Sequence, residues 1–336
     1  MNNGLEIIKI IEIIHLSLNT NMKTVCITGG SGYIGGVTAI HLKEHGYHVC
    51  VIDELPLPES LKPFVDVFVQ SRASDSTTIS SKYENIVFCA GSSLVGPSMT
   101  NPGNYYYNNT GELARFLELM SLNKWNGKLV FSSSASVYGN TDKMPLHEDD
   151  TLDPMNPYGT SKFFCERVLT DSVNAYKFSA VSLRYFNACG ADIQGRHGQP
   201  ISASHIFPKL FSAIQNNQTF HIRGNQYNTN DGTCVRDYIH VVDIAEAHRL
   251  SLENNLEKQH YIFNIGTGTG VSNLEIVKAT EQVLNKKIDY LIDDVRPGDP
   301  GLLIADCNRF KNYFNWIPKN SDLITIVSSL QKWYHA

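Results

Sequence analysis

Apolar positions along this chain fall into short runs parted by glycine-rich or polar turns. The first clear run, "KTVCITG", begins just after Met22 and ends in a glycine loop. A helical spacing from Val37 to His45 follows it, and then a second strand run, "HVCVID". Further strand runs lie at Val65 to Val69, Ile86 to Ala90, Lys128 to Ser132 and Ala180 to Tyr185, with helical spacings at Gly111 to Asn123 and Tyr158 to Asn174 between the later ones. Strands that alternate with helices predict a parallel, doubly wound α/β sheet of the Rossmann kind. From Glu54 to Asn85 the helical signal is poor, which predicts a degenerate crossover there.

Beyond Asn187 the pattern changes. A loop rich in Gly, Asp and Gln, "ACGADIQGRHGQP", leads to a helical spacing near Ser204 to Asn216, short strands and the irregular stretch "RGNQYNTNDGTCVRDYIHV". This predicts a smaller C-terminal substrate-binding domain whose loops close over the carboxyl edge of the sheet. The expected division is a dinucleotide-binding domain over 22–187, joined by about 237–266, and a second domain from 188–236 and 267–336. Residues 1–21 form an extension. Its run "LEIIKIIEIIHLSL" carries Lys9, Glu12 and His15 at every third place and no small-residue cleavage site, which fits an amphipathic helix or an upstream extension better than a signal or a membrane span.

Composition narrows the function classes. At 336 residues, with 42% hydrophobic and 18% charged positions, the chain can bury a large core. A net charge of -5 leaves no basic footprint for nucleic acid. The seven cysteines are spread out, odd in number and without a C-x-x-C pair, and several sit in apolar strand runs. They predict a reducing, cytoplasmic setting with no disulfide and no cysteine metal site.

Three stretches carry candidate chemistry. "TGGSGYIGG" sets Gly29, Gly32 and Gly35 at G-x-x-G-x-x-G spacing between the first strand and the first helix, where glycines allow a pyrophosphate to approach the helix N-terminus. Asp53 ends the next strand, where a carboxylate accepts ribose hydroxyls and repels a 2'-phosphate, so the pair predicts NAD over NADP. "PYGTSK" puts Tyr158 four places before Lys162; on a helix the two share a face, and a cation beside a phenol favours phenolate, the form a general base needs. "KLVFSSSASVYG" ends a strand in three serines at the edge where open α/β sheets bind ligands. A second glycine run, "FNIGTGTG", lacks the acidic residue at the next strand end, and predicts only a strand-to-helix turn.

In their order, "TGGSGYIGG", "FSSSASVYG", "NPYGTSK", "LRYFNACGA", "DGTCVRDYIHVVDIAEAH" and "RPGDP" resemble the extended short-chain dehydrogenase/reductase family, and among it the sugar-nucleotide 4-epimerases, from about Met22 to the C-terminus. The resemblance implies reversible, NAD-dependent 4-epimerisation of UDP-glucose and UDP-galactose through a 4-keto sugar. It also leaves open UDP-N-acetylhexosamines or UDP-pentoses as substrates, and a non-catalytic NAD sensor on the same fold. It assigns Tyr158 as the base, Lys162 as the lysine that lowers its pKa and binds ribose, and Ser134 as the hydroxyl sharing the 4'-oxygen proton. Gly29, Gly32, Tyr33, Ile34, Gly35, Asp53, Asn109 and Tyr185 fall with Tyr158 and Lys162 at cofactor positions, and no metal is implied. Asn187, Arg236 and Arg296 match groups that hold the UDP diphosphate, which suits two guanidiniums and an amide; Asp299 matches the uridine ribose contact. Ala135 and Ser136 stand where the family's 4,6-dehydratases carry an acidic pair, which argues against dehydration.

Four positions depart from the family pattern. Arg72 falls where an aspartate meets adenine, Ser93 replaces a common lysine, His205 an asparagine near the sugar, and Arg223 an aromatic residue near uracil. Leu303 falls at the place that sets sugar size. A leucine there implies preference for UDP-glucose and UDP-galactose, with weak activity on N-acetylated sugars. The family also implies a homodimer built on helices Tyr105 to Asn123 and Tyr158 to Asn174.

Overall fold

The computed structural model describes residues 22–141, 143–295 and 300–335; the N-terminal extension and the Arg296 and Asp299 assignments lie outside them. Seven strands form one sheet: β1 (Thr24–Thr28), β2 (His48–Asp53), β3 (Val67–Gln70), β4 (Asn85–Phe88), β5 (Lys128–Ser134), β6 (Ser179–Tyr185) and β10 (His260–Ile265). Their order is β10-β6-β5-β4-β1-β2-β3, and every neighbouring pair is parallel. The order reverses between β1 and β4, the crevice in which such sheets bind ligands.

Both faces of the sheet are covered, which is why its strands read as unbroken apolar runs. Val25, Ile27, Val49, Val51, Val87 and Val130 face one core, closed by α1 (Tyr33–Glu44) and α5 (Val241–Glu253). Cys26, Cys50, Ile86, Phe88, Leu129 and Phe131 face the other, closed by α2 (Glu112–Leu122) and α3 (Pro157–Tyr176). The crossover between β2 and β4 carries only 3-10 turns and a single helical turn, Thr77–Ser80. Here tertiary contacts replace a helix: Arg72 at the end of β3 pairs with Glu112, whose other oxygen accepts the Ser74 amide. All seven cysteines are free thiols.

The rest of the chain builds a smaller layer. Helices α4 (Ile206–Gln215), α6 (Asn273–Leu284) and α7 (Leu323–Tyr334) share a core through Phe207, Phe211, Ile276, Ile326 and Leu330. Two small sheets flank it. One joins β8 (Phe220–Arg223) to β12 (Tyr290–Asp293); the other centres on β9 (Val235–His240), which pairs with β7 (Asn187–Cys189), β11 (Gly270–Ser272) and β13 (Leu302–Leu303). The run "FNIGTGTG" is the turn from β10 through β11 into α6, not a second nucleotide unit.

Candidate active site

The first glycine turn is shaped by close packing. Gly29 has φ +73°, and a side chain on it would meet the Ala90 backbone at 2.5 Å. A side chain on Gly35 would collide with the Gly29 carbonyl, so α1 reaches the turn only with glycine there. At Gly32, the N-cap of α1, the same addition meets only the Gly29 carbonyl, at 3.3 Å. The cradle therefore has room for an incoming group in front of the helix, and the first-turn amides of Tyr33 and Ile34 have no acceptor within the helix. The Tyr33 ring reaches across to donate its hydroxyl to Gly190 O at 2.7 Å, while Ile34 packs into the core.

Asp53 ends β2, as its place in the sequence implies. One carboxylate oxygen accepts the Ser31 amide and the other the Leu55 amide, each at 2.9 Å, so Asp53 also holds the glycine turn in shape. Burial pushes its carboxyl up, and the amide bonds oppose that shift. Asn109 is buried in a π-helical turn before α2. It accepts from the Ser92 amide at 2.7 Å and donates to Ser92 O and to Ser161 Oγ, tying the loop after β4 to α3. Arg72 donates to Glu112 and Asn108 and stacks 4.9 Å over Tyr107. Ser93 is exposed on the loop after β4.

The reactive cluster forms where β5 ends and α3 begins. Asn156 caps α3 by accepting the Gly159 amide at 2.9 Å, and Pro157 occupies the first turn, a strong start signal. Ser134 ends β5, where its hydroxyl accepts the Ser136 amide at 3.2 Å and stands beside the Tyr158 phenol. Gly159 makes this approach possible, because a side chain there would collide with the Ser136 carbonyl. Sequence reasoning passed over Gly159; a glycine inside a helical first turn was the available signal.

Lys162 departs from the expectation drawn from its spacing. Its ammonium is buried, donates to Ser132 O at 2.8 Å and lies 4.7 Å over the Phe131 ring. Burial pushes its pKa down. Burial also pushes Tyr158 up, and the neighbouring Ser134 hydroxyl, not the ammonium, opposes that rise. Sharing a helical face brings Lys162 beside the serine strand, and the nearest strong acceptor there is a backbone carbonyl.

Tyr185 lies opposite Ser134 in the β5–β6 register. Its hydroxyl points inward, to Ser132 Oγ at 3.1 Å and to His248 Nε2 on α5. Burial holds it far above the usual tyrosine value, and holds His248 down at about 3, so both are neutral. Beneath the cluster runs a buried pair that the sequence analysis also missed. Arg184 donates to both oxygens of Glu166 at 2.9 and 2.7 Å, and Ser133 donates to Glu166 at 2.6 Å. A charge inside the strand run "SLRYF", and a glutamate one turn after Lys162, were its visible signals.

On the other side of the cleft, β9 assembles the candidate substrate groups. Asn187 pairs opposite Tyr238 and donates to Asp237 O at 3.2 Å; Arg236 is buried opposite Leu303. Leu303 packs on the cluster of Ala135, Val137, Tyr138 and Phe186, directly after Ser134. His205 stands at the N-cap position of α4 and its ring bonds Gln199 at 2.7 Å, and Arg223 pairs with Asp293 at 2.9 Å on the exposed β8–β12 ribbon. The site therefore offers a phenol and a hydroxyl for proton transfer, an anion cradle on one flank and a buried guanidinium on the other.

Comparison with known proteins gives this arrangement a family context. The NAD dependent epimerase/dehydratase family matches residues 25–266. A UDP-glucose 4-epimerase of Corynebacterium glutamicum is 36% identical over 307 residues, which cover 90% of this chain and 92% of that protein. The crystal structure of UDP-glucose 4-epimerase from Brucella ovis in complex with NAD has a TM-score of 0.85 and 34% identity, covering 91% of this chain and 97% of that one. A UDP-glucose-4-epimerase structure from Stenotrophomonas maltophila, with bound NAD and formylated UDP-arabinopyranose, has a TM-score of 0.87 and 30% identity, covering 93% and 98%.

Proposed function

The chain belongs to the NAD dependent epimerase/dehydratase family, and from that premise we propose that it interconverts UDP-glucose and UDP-galactose by reversible oxidation at C4'. The observation that carries this reading is the Ser134 hydroxyl beside the Tyr158 phenol at the carboxyl edge of β5, next to the open glycine cradle. The cradle fits NAD: Gly29, Gly32 and Gly35 with the amides of Tyr33 and Ile34 receive the pyrophosphate, and Asp53 meets the adenosine ribose. Asn109 and Tyr185 support the nicotinamide end by holding the loop after β4 and the serine strand. When bound, NAD supplies the hydride acceptor and donor.

The chain's own residues handle the proton. Tyr158 takes it from the 4'-hydroxyl and returns it after the 4-keto sugar has turned its other face. Ser134 donates to the Tyr158 oxygen and so favours phenolate. Lys162, fixed on Ser132 O, adds positive charge beneath the site and presents its remaining protons to a ribose. Asn187 and Arg236 hold the diphosphate, with Arg296 and Asp299 completing the nucleotide contacts. Ala135 and Ser136 offer no acid for dehydration.

The binding functions divide between an NAD unit, 22–187 with about 237–266, and a UDP-sugar unit from 188–236 and 267–336. The exposed apolar residues Tyr107, Leu122 and Phe164, on and beside α2 and α3, favour a homodimer across those helices; light scattering showing a monomer at micromolar concentration would refute it. Among the described residues no helix is long and apolar enough to cross a membrane, and seven free thiols suit a reducing cytoplasm. Incubation with UDP-galactose, followed by chromatography for UDP-glucose, tests the activity; no turnover of any UDP-sugar overturns it. Leucine at 303 leaves steric bulk without a hydroxyl, so kcat/KM should favour UDP-glucose over UDP-GlcNAc, and Leu303→Ser should narrow the gap by about 1–3 kcal/mol.

A further inference from the structure

At the end of α1 remote from the glycine turn, two imidazoles and a carboxylate meet. His41 and His45 are one helical turn apart and share a face, with ring centroids 4.3 Å apart. Glu246 reaches them from α5, and its carboxylate lies 2.9 Å from His41 Nε2. One ligand atom from each of the three lies within 4.8 Å of the other two. We propose that His41, His45 and Glu246 bind a divalent transition metal of the zinc class, with water in the fourth position.

Proximity is supported by how each ligand is prepared. His45 Nδ1 lies 2.7 Å from the His41 carbonyl oxygen, which can only accept, so the proton is on Nδ1 and the lone pair on Nε2. That bond is the outer contact by which metal-binding histidines usually have their tautomer set. Glu246 is held from its far side by Arg249, whose Nη2 donates to Oε1 and whose Nε donates to Oε2, each at 2.7 Å. The Arg249 charge is shared with Glu253, which also takes Lys23. The two histidines stand at the last turn of α1, and the negative end of a helix favours a cation.

The dimensions suit a small tetrahedral ion. Zinc bonds of about 2.0–2.2 Å to imidazole and carboxylate imply ligand atoms roughly 3.3–3.6 Å apart. The His41–Glu246 pair must open by a few tenths of an ångström, and the exposed His45 ring must close in on them while keeping its Nδ1 bond to the His41 carbonyl. Binding replaces the proton that bridges His41 Nε2 and Glu246, and releases it to solvent. A metal here would pin α1 to α5 at the end of α1 remote from Gly32, about 18 Å away along a twelve-residue helix. The effect would therefore be on stability, with no direct contact to the reacting groups.

Titration of the chelator-stripped full chain with ZnCl2, read by calorimetry and by thermal melting, tests the site. About one equivalent should bind and raise Tm, because a ligand of the folded state stabilises it. Exposed His45→Ala and the near-isosteric Glu246→Gln should each weaken binding about tenfold or more and abolish the shift in Tm, while His221→Ala, on the remote β8–β12 ribbon, should leave both intact. Equal binding by His45→Ala and the unmodified chain, or no binding and no shift at a hundredfold excess of zinc, overturns the proposal.

Discussion

Two glycine turns in this molecule look alike in sequence and have opposite fates. The turn at Gly29 to Gly35 leads from β1 into α1, and the turn at Gly266 to Gly270 leads from β10 toward α6; each has a glycine at positive φ, +73° at Gly29 and +80° at Gly268. Around the first, Asp53 takes one amide of the turn, that of Ser31, its other oxygen being held by the Leu55 amide, and the helix N-terminus faces open space. Around the second, the fully buried Asp237 takes the amides of Thr267, Gly268 and Ala305 and the Thr267 hydroxyl, at 2.7 to 3.2 Å. The helix after it is closed as well, by the reciprocal bonds of Ser272 and Glu275. A glycine turn can receive an anion, and tertiary structure decides whether the chain's own carboxylate fills it, as Asp237 does at the second, or leaves it open, as at the first.

The comparison can be sharpened first at the chemistry beside the open turn. Tyr158→Phe removes the proposed base but none of the cradle, so kcat should fall by about 10²-fold or more while NAD stays bound. Wild-type turnover in this variant would remove Tyr158 from its role. At the filled turn the effect should be on folding instead. Asp237→Ala leaves buried donors unpaired at roughly 1–3 kcal/mol each, so denaturant melts should show a loss of several kcal/mol. NAD affinity of the folded protein should be unchanged; a lost NAD site with normal stability would mean that the second turn is the nucleotide cradle.

A smaller effect is expected at Asp53. Asp53→Asn keeps the shape but removes the charge proposed to meet the ribose, which should cost about tenfold in NAD affinity and raise affinity for NADP relative to NAD. Fluorescence titration with both nucleotides would measure it, and an unchanged ratio would leave Asp53 as a brace for the turn alone. The finest test concerns pH. Burial holds Tyr158 above its usual value and the Ser134 hydroxyl brings it down, so activity rises with pH as the phenol ionises. Ser134→Ala removes the lowering contact and should move that rise to higher pH; a rise at the same or lower pH would show that Ser134 does not tune the base.

Much of the site was legible because its signals are local. Continuous apolar runs mark strands covered on both faces, and a glycine turn followed by an acidic strand end marks a nucleotide cradle. The motifs also pointed to the family that the comparisons return. Local signals do not report on partners distant in sequence. The spacing of Tyr158 and Lys162 placed both on one helical face, yet the ammonium settled on Ser132 O, from a strand that ends well before the helix.

By itself the sequence determined the parallel order of strand and helix, the position of the open cradle and the identities of the serine, tyrosine and lysine of the candidate site. These follow from periodicity, turn chemistry and side-chain type, which act over a few residues. Only the tertiary structure decided that Asp237 fills the second glycine turn, that Glu166 and Arg184 lock α3 to β6, and that β9 gathers Asn187, Arg236 and Leu303 from three parts of the chain. A buried donor or charge must find a partner whatever the distance along the chain, and packing determines which one it finds.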